Sequence, residues 1–349
     1  MTGAGAERPE AAWPFARLVD RDPVVEAEAL VAGLVPPPLF AGVSFDSFRP
    51  DASEPSQAAA IAALQVFAER LTRPGQAARW WRRAPAPPEG RPGVYLDGGF
   101  GVGKTHLLAS LWHVAPAPKA FATFVELTNA VGALGFDEAV KRLSRCRLLC
   151  VDEFELDDPG DTVLMSTLLT RLSEAGVHLA ATSNTLPDRL GEERFAAADF
   201  LREIQALASQ FDVIRIEGAD FRHRGAPVVP APVSESVVVE AVERAQRATL
   251  DDFDQLLDHL ATVHPSRYGA LVDEVDLVGW RNVRPIDDQA VALRFVVLVD
   301  RLYDRDVTLV ASGHALDELF PEEMLRGGYR KKYFRALSRL LALAEPQGA

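Results

Sequence analysis

The spacing of hydrophobic residues along the chain changes near residue 93. Between Ser56 and Leu71, hydrophobic side chains recur at the 3.6-residue period of an amphipathic helix. After residue 93, short apolar runs typical of strands alternate with windows of helical period. This alternation predicts an α/β fold in which helices flank both faces of a parallel sheet. The predicted strands cover residues 93–96, 120–127, 147–154, 178–183 and 213–217.

Proline-rich and polar passages divide the chain into three predicted regions. Residues 1–92 form an N-terminal arm and a helix that leads into the core, residues 93–218 form the core with the parallel sheet, and residues 219–349 form a C-terminal region. The last region combines helical windows with an apolar run at 307–311, which predicts a mixed α/β structure. Its predicted helices cover residues 236–247, 250–263, 287–303 and 328–343.

A glycine-rich segment lies between the first predicted strand and a predicted helix. The segment fits the G-x4-G-K-[ST] pattern of a phosphate-binding loop, in the strand-to-helix context that the pattern requires. Its glycines let successive backbone N–H groups face one centre, and the N-terminus of the helix adds positive potential. We therefore expect ATP and Mg²⁺ to bind here, with Lys104 near the β- and γ-phosphates and the Thr105 hydroxyl on the metal. The loop comprises Gly98, Gly99, Phe100, Gly101, Val102, Gly103, Lys104 and Thr105.

Two acidic residues follow a buried strand downstream of this loop. The apolar run at 148–151 ends in Asp152 and Glu153, which is the Walker B pattern. A carboxylate at the carboxyl end of such a strand faces the phosphate loop. We expect Asp152 to hold Mg²⁺ through water and Glu153 to polarise the water that attacks the γ-phosphate. Adjacent strand residues point in alternate directions, so the two carboxylates can take different roles.

The next predicted strand ends in Asn184, and this order of loop and strand ends resembles the AAA+ ATPases. Those proteins place their sensor-1 polar residue at this position, where it contacts the γ-phosphate or orients the water. Alternatively, Asn184 caps the turn before Pro187. For the arginine finger that AAA+ rings supply to a neighbouring subunit, we favour Arg202 over Arg189 and Arg194, although a solvated helix face explains each arginine equally well.

Other polar residues near these positions are interpreted as structural. We expect His106, which follows Thr105, to have a structural role. The acidic residues Glu155, Asp157 and Asp158 fit a solvated loop better than a second metal site.

The overall charge and hydropathy narrow the possible partners and locations. The net charge of −13 disfavours generic binding to the phosphates of nucleic acids. No apolar stretch approaches the roughly 18 to 20 residues that cross a bilayer. The first ten residues contain acidic side chains and lack the pattern of a secretory signal. We therefore expect a cytoplasmic protein without a membrane span.

Several further segments resemble the ZapE family of AAA+ ATPases, which is associated with bacterial cell division. The resemblance implies an ATPase that acts on the tubulin-like ring protein FtsZ and alters its polymers, and it implies a possible ATP-dependent homo-oligomer. One departure bears on that oligomer, because residues 195–199 replace an arginine-bearing stretch of the family. The similar segments lie at 150–154, 181–184, 186–190, 211–218, 293–295, 298–304 and 334–340.

Two other classes of function also fit the sequence. Phe45-Asp-Ser-Phe48 before a helix and Gly-Lys-Thr-His-Leu at 103–107 resemble the helicase-loader and replication-initiator proteins DnaC and DnaA, which would imply binding of single-stranded DNA. A nucleotide-gated adaptor would instead use ATP as a switch with negligible turnover. The net charge and the C-terminal segments favour the ZapE type over the loader, and Glu153 argues against the adaptor.

Overall fold

The computed structural model describes residues 15–72, 91–99, 101–154, 159–187, 201–218 and 231–344. These residues belong to two compact units. The first unit contains the described residues of 24–227 and 326–331, and the second contains those of 1–23, 228–325 and 332–349. None of the helices in the described ranges combines the length and hydropathy that a bilayer crossing requires.

The first unit is built on a five-stranded parallel sheet in the order β2-β3-β4-β1-β5. Because all neighbouring strands are parallel, their carboxyl ends meet at one edge, and β3 and β1 lie on either side of β4. This arrangement confirms the predicted fold class of a parallel sheet flanked by helices. The strands are β1 (Gly93–Gly98), β2 (Lys119–Thr123), β3 (Leu148–Asp152), β4 (His178–Ser183) and β5 (Phe211–Ile216).

Helices cover both faces of this sheet because consecutive strand residues point to opposite sides. Val94 and Cys150 pack with α2 and α3 on one face, whereas Tyr95 and Val151 pack with α4, α5, α6 and α7 on the other. The helices of this unit are α1 (Ala27–Ala32), α2 (Pro55–Thr72), α3 (Lys104–Val114), α4 (Phe124–Leu134), α5 (Phe136–Leu143), α6 (Pro159–Glu174) and α7 (Leu201–Ser209).

The predicted strand at 120–127 is shorter in the structure, because a helix cap interrupts it. The Thr123 hydroxyl accepts a hydrogen bond from the Glu126 backbone N–H at 3.2 Å, and the Glu126 carboxylate accepts one from the Thr123 N–H at 2.7 Å. This reciprocal capping box starts α4 directly after β2. The apolar residues after Thr123 therefore belong to a helix.

The second unit contains a three-stranded parallel sheet in the order β6-β7-β8. The prediction of a helix over 250–263 was partly wrong, because its first residues form β6 and α9 begins at Phe253. The strand β7 was not predicted. The strands are β6 (Ala248–Asp252), β7 (Leu277–Val283) and β8 (Thr308–Gly313), and the helices from residue 235 onward are α8 (Glu235–Arg244), α9 (Phe253–Thr262), α10 (Tyr268–Leu271), α11 (Gln289–Asp304), α12 (Glu322–Arg326) and α13 (Arg330–Ala344).

The two faces of β7 are packed in different ways. On one face, a Cβ atom on Gly279 would lie 2.7 Å from the Val242 side chain, so glycine permits the close approach of α8. On the other face, the Trp280 ring contacts Phe253 and Phe295 at centroid distances of 5.9 and 5.4 Å. This buried aromatic cluster joins β7 to α9 and α11.

Residues 15–23, assigned from the sequence to an N-terminal arm, lie with the second unit. The Leu250 N–H donates to the Ala16 carbonyl at 2.9 Å, which places this segment beside β6. The buried Asp251 carboxylate accepts hydrogen bonds from the backbone N–H groups of Leu18 and Val19, both at 3.1 Å. A buried carboxylate needs such donors, so the segment completes the packing of this unit.

Two segments of the ZapE resemblance meet within the second unit. Asp300 on α11 pairs with Arg335 of α13 at 2.8 Å and also with Arg339. Burial of Asp300 works against its ionisation, but the Arg335 and Arg339 guanidiniums outweigh it and lower the pKa of this carboxyl. The ion cluster therefore fixes α13 to α11.

Candidate nucleotide-binding site

The glycine-rich segment forms a tight turn at the carboxyl edge of the first sheet. Gly101 and Gly103 have left-handed backbones with φ of 68° and 87°. A Cβ atom on Gly98 would overlap the Ile216 carbonyl oxygen, and one on Gly103 would overlap the Phe48 ring. Glycine is therefore required at positions 98 and 103 both by space and, at 103, by backbone conformation. Phe100 lies outside the described residues.

Lys104 connects this loop to the end of β4. Its ammonium group donates to the carbonyl oxygens of Gly98 at 2.7 Å and Gly99 at 2.5 Å, and to Asn184 Oδ1 at 2.8 Å. The turn after β4 is held separately, because the Thr185 N–H donates to the Ser183 hydroxyl at 3.0 Å. The structure thus brings the predicted Lys104 and Asn184 together.

Thr105 and Asp152 also meet at this edge. The Thr105 hydroxyl lies 3.0 and 3.2 Å from the two carboxylate oxygens of Asp152. Burial, followed by the neighbouring Glu153 carboxylate, raises the pKa of Asp152 to about 6. A bound divalent cation favours the ionised form of such a carboxylate. The hydroxyl and the carboxylate are hard oxygen donors of the kind that Mg²⁺ prefers.

Thr182 on β4 contacts both predicted acidic residues and was missed in the sequence. Its hydroxyl donates to Asp152 Oδ1 and accepts a hydrogen bond from the Glu153 N–H at 3.0 Å. Its carbonyl oxygen accepts a hydrogen bond from the Phe154 N–H at 2.7 Å. The sequence offers no local signal for this contact, because Ser183, the next residue of β4, is a hydroxyl residue as well.

Tyr95 supports the same edge from the strand β1. The Tyr95 hydroxyl donates to the Thr185 carbonyl at 2.7 Å, one residue beyond Asn184. The fully buried Tyr95 ring packs edge-on against Phe154 and Phe211 at centroid distances of 6.4 and 5.6 Å. Tyr95 thereby joins the turn that carries Asn184 to the segment that follows Glu153.

A short turn before α2 packs against the N-terminal end of α3. His106 Nε2 lies 3.0 Å from the Ser47 hydroxyl and 3.1 Å from the Ser44 carbonyl oxygen. The Phe48 ring meets the His106 ring edge-on at 5.4 Å, and Phe45 is buried in the core of this face. These contacts agree with the structural interpretation of His106.

Of the three arginine-finger candidates, Arg202 is the one that lies within the described residues. Arg202 is exposed on α7. Within the described ranges, the structure records no hydrogen bond or ion pair between Arg202 and the residues discussed above. The other positions considered from the sequence lie outside the described residues, namely Arg189, Arg194, Glu155, Asp157 and Asp158.

Comparison with curated proteins gives relatives that match parts of this chain in sequence. Cell division protein ZapE of Escherichia coli K12 is 33% identical over 144 residues, which is 38% of this chain and 38% of that protein. Lactation elevated protein 1 homolog B of Danio rerio is 31% identical over 90 residues, or 26% of this chain and 18% of that protein. These matches therefore span less than half the length of the curated relatives.

Comparison with solved structures gives more distant similarity. The crystal structure of DnaI has a TM-score of 0.39 and 18% identity, and the match covers 53% of this chain and 98% of that one.

A family model covers most of the chain. The model of the AFG1-like ATPases matches residues 28–243 and 229–347. Together with the ZapE relative, this match confirms the resemblance seen in the sequence. The chain belongs to the AFG1-like ATPase family.

Proposed function

We propose that this protein is a Mg²⁺-dependent ATPase that hydrolyses ATP to ADP and phosphate. The observation that carries the proposal is the meeting of a glycine-rich loop with Lys104, Thr105, Asp152, Glu153 and Asn184 at one edge of a parallel sheet. Ligands of open α/β sheets bind at the carboxyl ends of the strands. Membership of the AFG1-like ATPase family supports the same reaction.

Backbone and lysine groups would bind the phosphates. The N–H groups of the loop from Gly98 to Thr105 and the N-terminus of α3 favour a negative charge at this point. Lys104 has three N–H donors, and it directs its ammonium to three protein oxygens. To bind the β- and γ-phosphates, the ammonium exchanges one or more of these partners for a phosphate oxygen.

Thr105 and Asp152 fit a Mg²⁺ ion. Mg²⁺ in nucleotide sites uses one or two protein ligands, several waters and the phosphates of the substrate. Binding of Mg²⁺ with a nucleotide thus does not require a cluster of three or more acidic, histidine or cysteine ligands. The described residues contain no such cluster. When bound, Mg²⁺ neutralises negative charge on the phosphate oxygens.

Glu153 and Asn184 would act on the attacking water. Glu153 follows the proposed metal ligand and takes the role of the base that polarises the water. Asn184 lies 2.8 Å from the Lys104 ammonium, and it would orient that water or contact the γ-phosphate. The two residues directly follow the neighbouring strands β3 and β4.

Arg202 is proposed as an arginine finger within an ATP-dependent homo-oligomer. Its exposed place on α7 leaves it accessible to a second copy of the chain. An arginine supplied by a neighbouring subunit stabilises the charge that develops during phosphoryl transfer.

The cell-division machinery is the proposed target, with FtsZ as the partner and the cytoplasm as the location. The support is the similarity to E. coli cell division protein ZapE. The net charge of −13 disfavours nucleic acid as the alternative target.

We expect Lys104→Ala to weaken ATP binding by about 30- to 100-fold, because it removes charge-assisted hydrogen bonds to phosphate. Isothermal titration with ATP and Mg²⁺ measures the effect. Lys141→Ala is the matched control, since Lys141 lies exposed on α5 and pairs only with Glu138 among the described residues. Equal affinity of Lys104→Ala and the control would contradict the proposed phosphate contact.

Glu153→Gln should lower the hydrolysis rate by about 100- to 10,000-fold, because the amide cannot act as the base. ATP affinity should stay close to that of the native protein, so the variant traps ATP. Single-turnover assays and titration measure the two quantities. Glu174→Gln, exposed at the far end of α6, is the control. Native hydrolysis by Glu153→Gln would show that the assigned base is wrong.

Mixed subunits test the arginine finger. We expect Arg202→Ala and Lys104→Ala each to be inactive alone. In an equimolar mixture, Arg202→Ala subunits would receive Arg202 from Lys104→Ala neighbours and recover about a quarter of native turnover in a head-to-tail ring. Turnover of the mixture that equals the sum of the separate variants would exclude a finger in trans.

The partner is tested by stimulation of turnover. ATPase rates are measured with the protein alone, with FtsZ filaments and with single-stranded DNA, using Lys104→Ala as the blank. We expect FtsZ to raise the rate and FtsZ pelleting to change with ATP. Stimulation by DNA alone would favour a helicase-loader function, and a native rate equal to the blank under all conditions would favour the adaptor.

A further inference from the structure

We propose that Thr182 is a positioning residue that holds both Asp152 and Glu153 in the geometry required for metal binding and water activation. The inference rests on the proposed ATPase function, because it concerns the groups assigned to that reaction. It adds to the proposed site a residue of the neighbouring strand β4, which belongs neither to the phosphate-loop pattern nor to the Walker B pattern. The observation that supports it is that the single buried hydroxyl of Thr182 forms hydrogen bonds with two consecutive residues, Asp152 and Glu153.

The Thr182 hydroxyl lies between a donor and an acceptor. The Glu153 N–H donates to it at 3.0 Å, and the hydroxyl donates its one proton to Asp152 Oδ1. A hydroxyl provides one donor and two acceptor positions. The bond to Asp152 uses the donor, and the bond from Glu153 uses one acceptor position. Valine, the side chain of nearly equal shape, can make neither bond.

The bond to Asp152 fixes one side of the carboxylate. Within the described residues, the recorded side-chain partners of this carboxylate are the hydroxyls of Thr105 and Thr182. Thr105 belongs to the phosphate loop and is the group that would also contact Mg²⁺. Thr182 lies inside the sheet, only 1% exposed, and so can orient Asp152 whether or not nucleotide is bound.

The bond from Glu153 supports an uncommon backbone conformation. Glu153 has φ of 51°, in the left-handed region that residues with a side chain seldom adopt. Such conformations persist when surrounding contacts determine them. Thr182 supplies two of those contacts, since its hydroxyl accepts from the Glu153 N–H and its carbonyl accepts from the Phe154 N–H at 2.7 Å. The backbone conformation of Glu153, directly after β3, therefore depends on Thr182.

Three variants separate the hydroxyl from the shape of the side chain. Thr182→Val removes both side-chain bonds, Thr182→Ser keeps the hydroxyl, and Thr167→Val makes the same change at an exposed position of α6. We expect Thr182→Val to lower kcat by about 10- to 100-fold, as loss of a group that orients a metal ligand does. The affinity for metal-free ATP should change by less than about threefold, because the loop and Lys104 remain intact.

Thr182→Ser and Thr167→Val should stay within about threefold of native kcat, because both keep the two bonds. Native kcat in Thr182→Val would overturn the proposal. Equal losses in Thr182→Ser and Thr182→Val would also overturn it, since the effect would then come from packing.

Two readouts do not require turnover. The affinity for a non-hydrolysable ATP analogue is measured with and without Mg²⁺. Thr182→Val should lose about 10-fold or more of the Mg²⁺-dependent part of that affinity and keep the metal-free part. A crystal structure of Thr182→Val should show Glu153 leaving the left-handed region. Unchanged Mg²⁺ dependence together with an unchanged Glu153 φ would overturn the proposal.

These readouts also separate the two hypotheses. If the native protein binds Mg²⁺ and ATP but does not hydrolyse it, the proposed ATPase activity fails. The Mg²⁺ dependence and the Glu153 backbone would then still decide whether Thr182 positions the two carboxylates.

Discussion

The buried carboxylate of Asp152 is the constraint on which the rest of the site depends. Its place at the end of β3 removes it from water, and burial, with the Glu153 carboxylate beside it, raises its pKa to about 6. A buried charge is tolerated only where donors or a cation compensate for lost hydration. Thr182 and Thr105 supply the donors from β4 and from the loop after β1. The need to satisfy one carboxylate therefore joins the three central strands at their carboxyl ends.

The strand order determines which residues can meet at that edge. Because β4 lies between β3 and β1, residues at its end reach both the acidic strand end and the phosphate loop. Thr182 extends toward Asp152, whereas Asn184 reaches Lys104, so β4 links the two halves of the site. Tyr95 also links β1 to the turn after β4, because its hydroxyl donates a hydrogen bond to the Thr185 carbonyl oxygen. Asp152 and Lys104 thus each contact a residue of β4 or of the turn that follows it, and rigid elements position groups better than loops do.

Patterns local in sequence predicted much of this arrangement, and contacts between distant segments account for what was missed. The loop from Gly98 to Thr105 needs glycines and a lysine at fixed spacing, so it is visible in the sequence. Thr182 takes its role only when β3 and β4 pair, and a threonine in a strand has no distinctive local pattern. The strand β6 was read as helix because Leu250 continues the apolar period of α9. The segment 15–23 gave no signal because its partner, Asp251, lies more than two hundred residues away.

Segments that resemble ZapE in sequence contact one another within each of the two units. In the second unit, the segments at 298–304 and 334–340 meet through Asp300, Arg335 and Arg339. Removing one member of a buried ion cluster leaves an unpaired charge, so all three residues are needed for the packing of α13 on α11. In the first unit, the segments at 150–154 and 181–184 meet through Thr182, Asp152 and Glu153 beside the phosphate loop. The segments of the second unit therefore meet through contacts that pack two helices together, whereas those of the first unit meet at the edge of the sheet where ATP is proposed to bind.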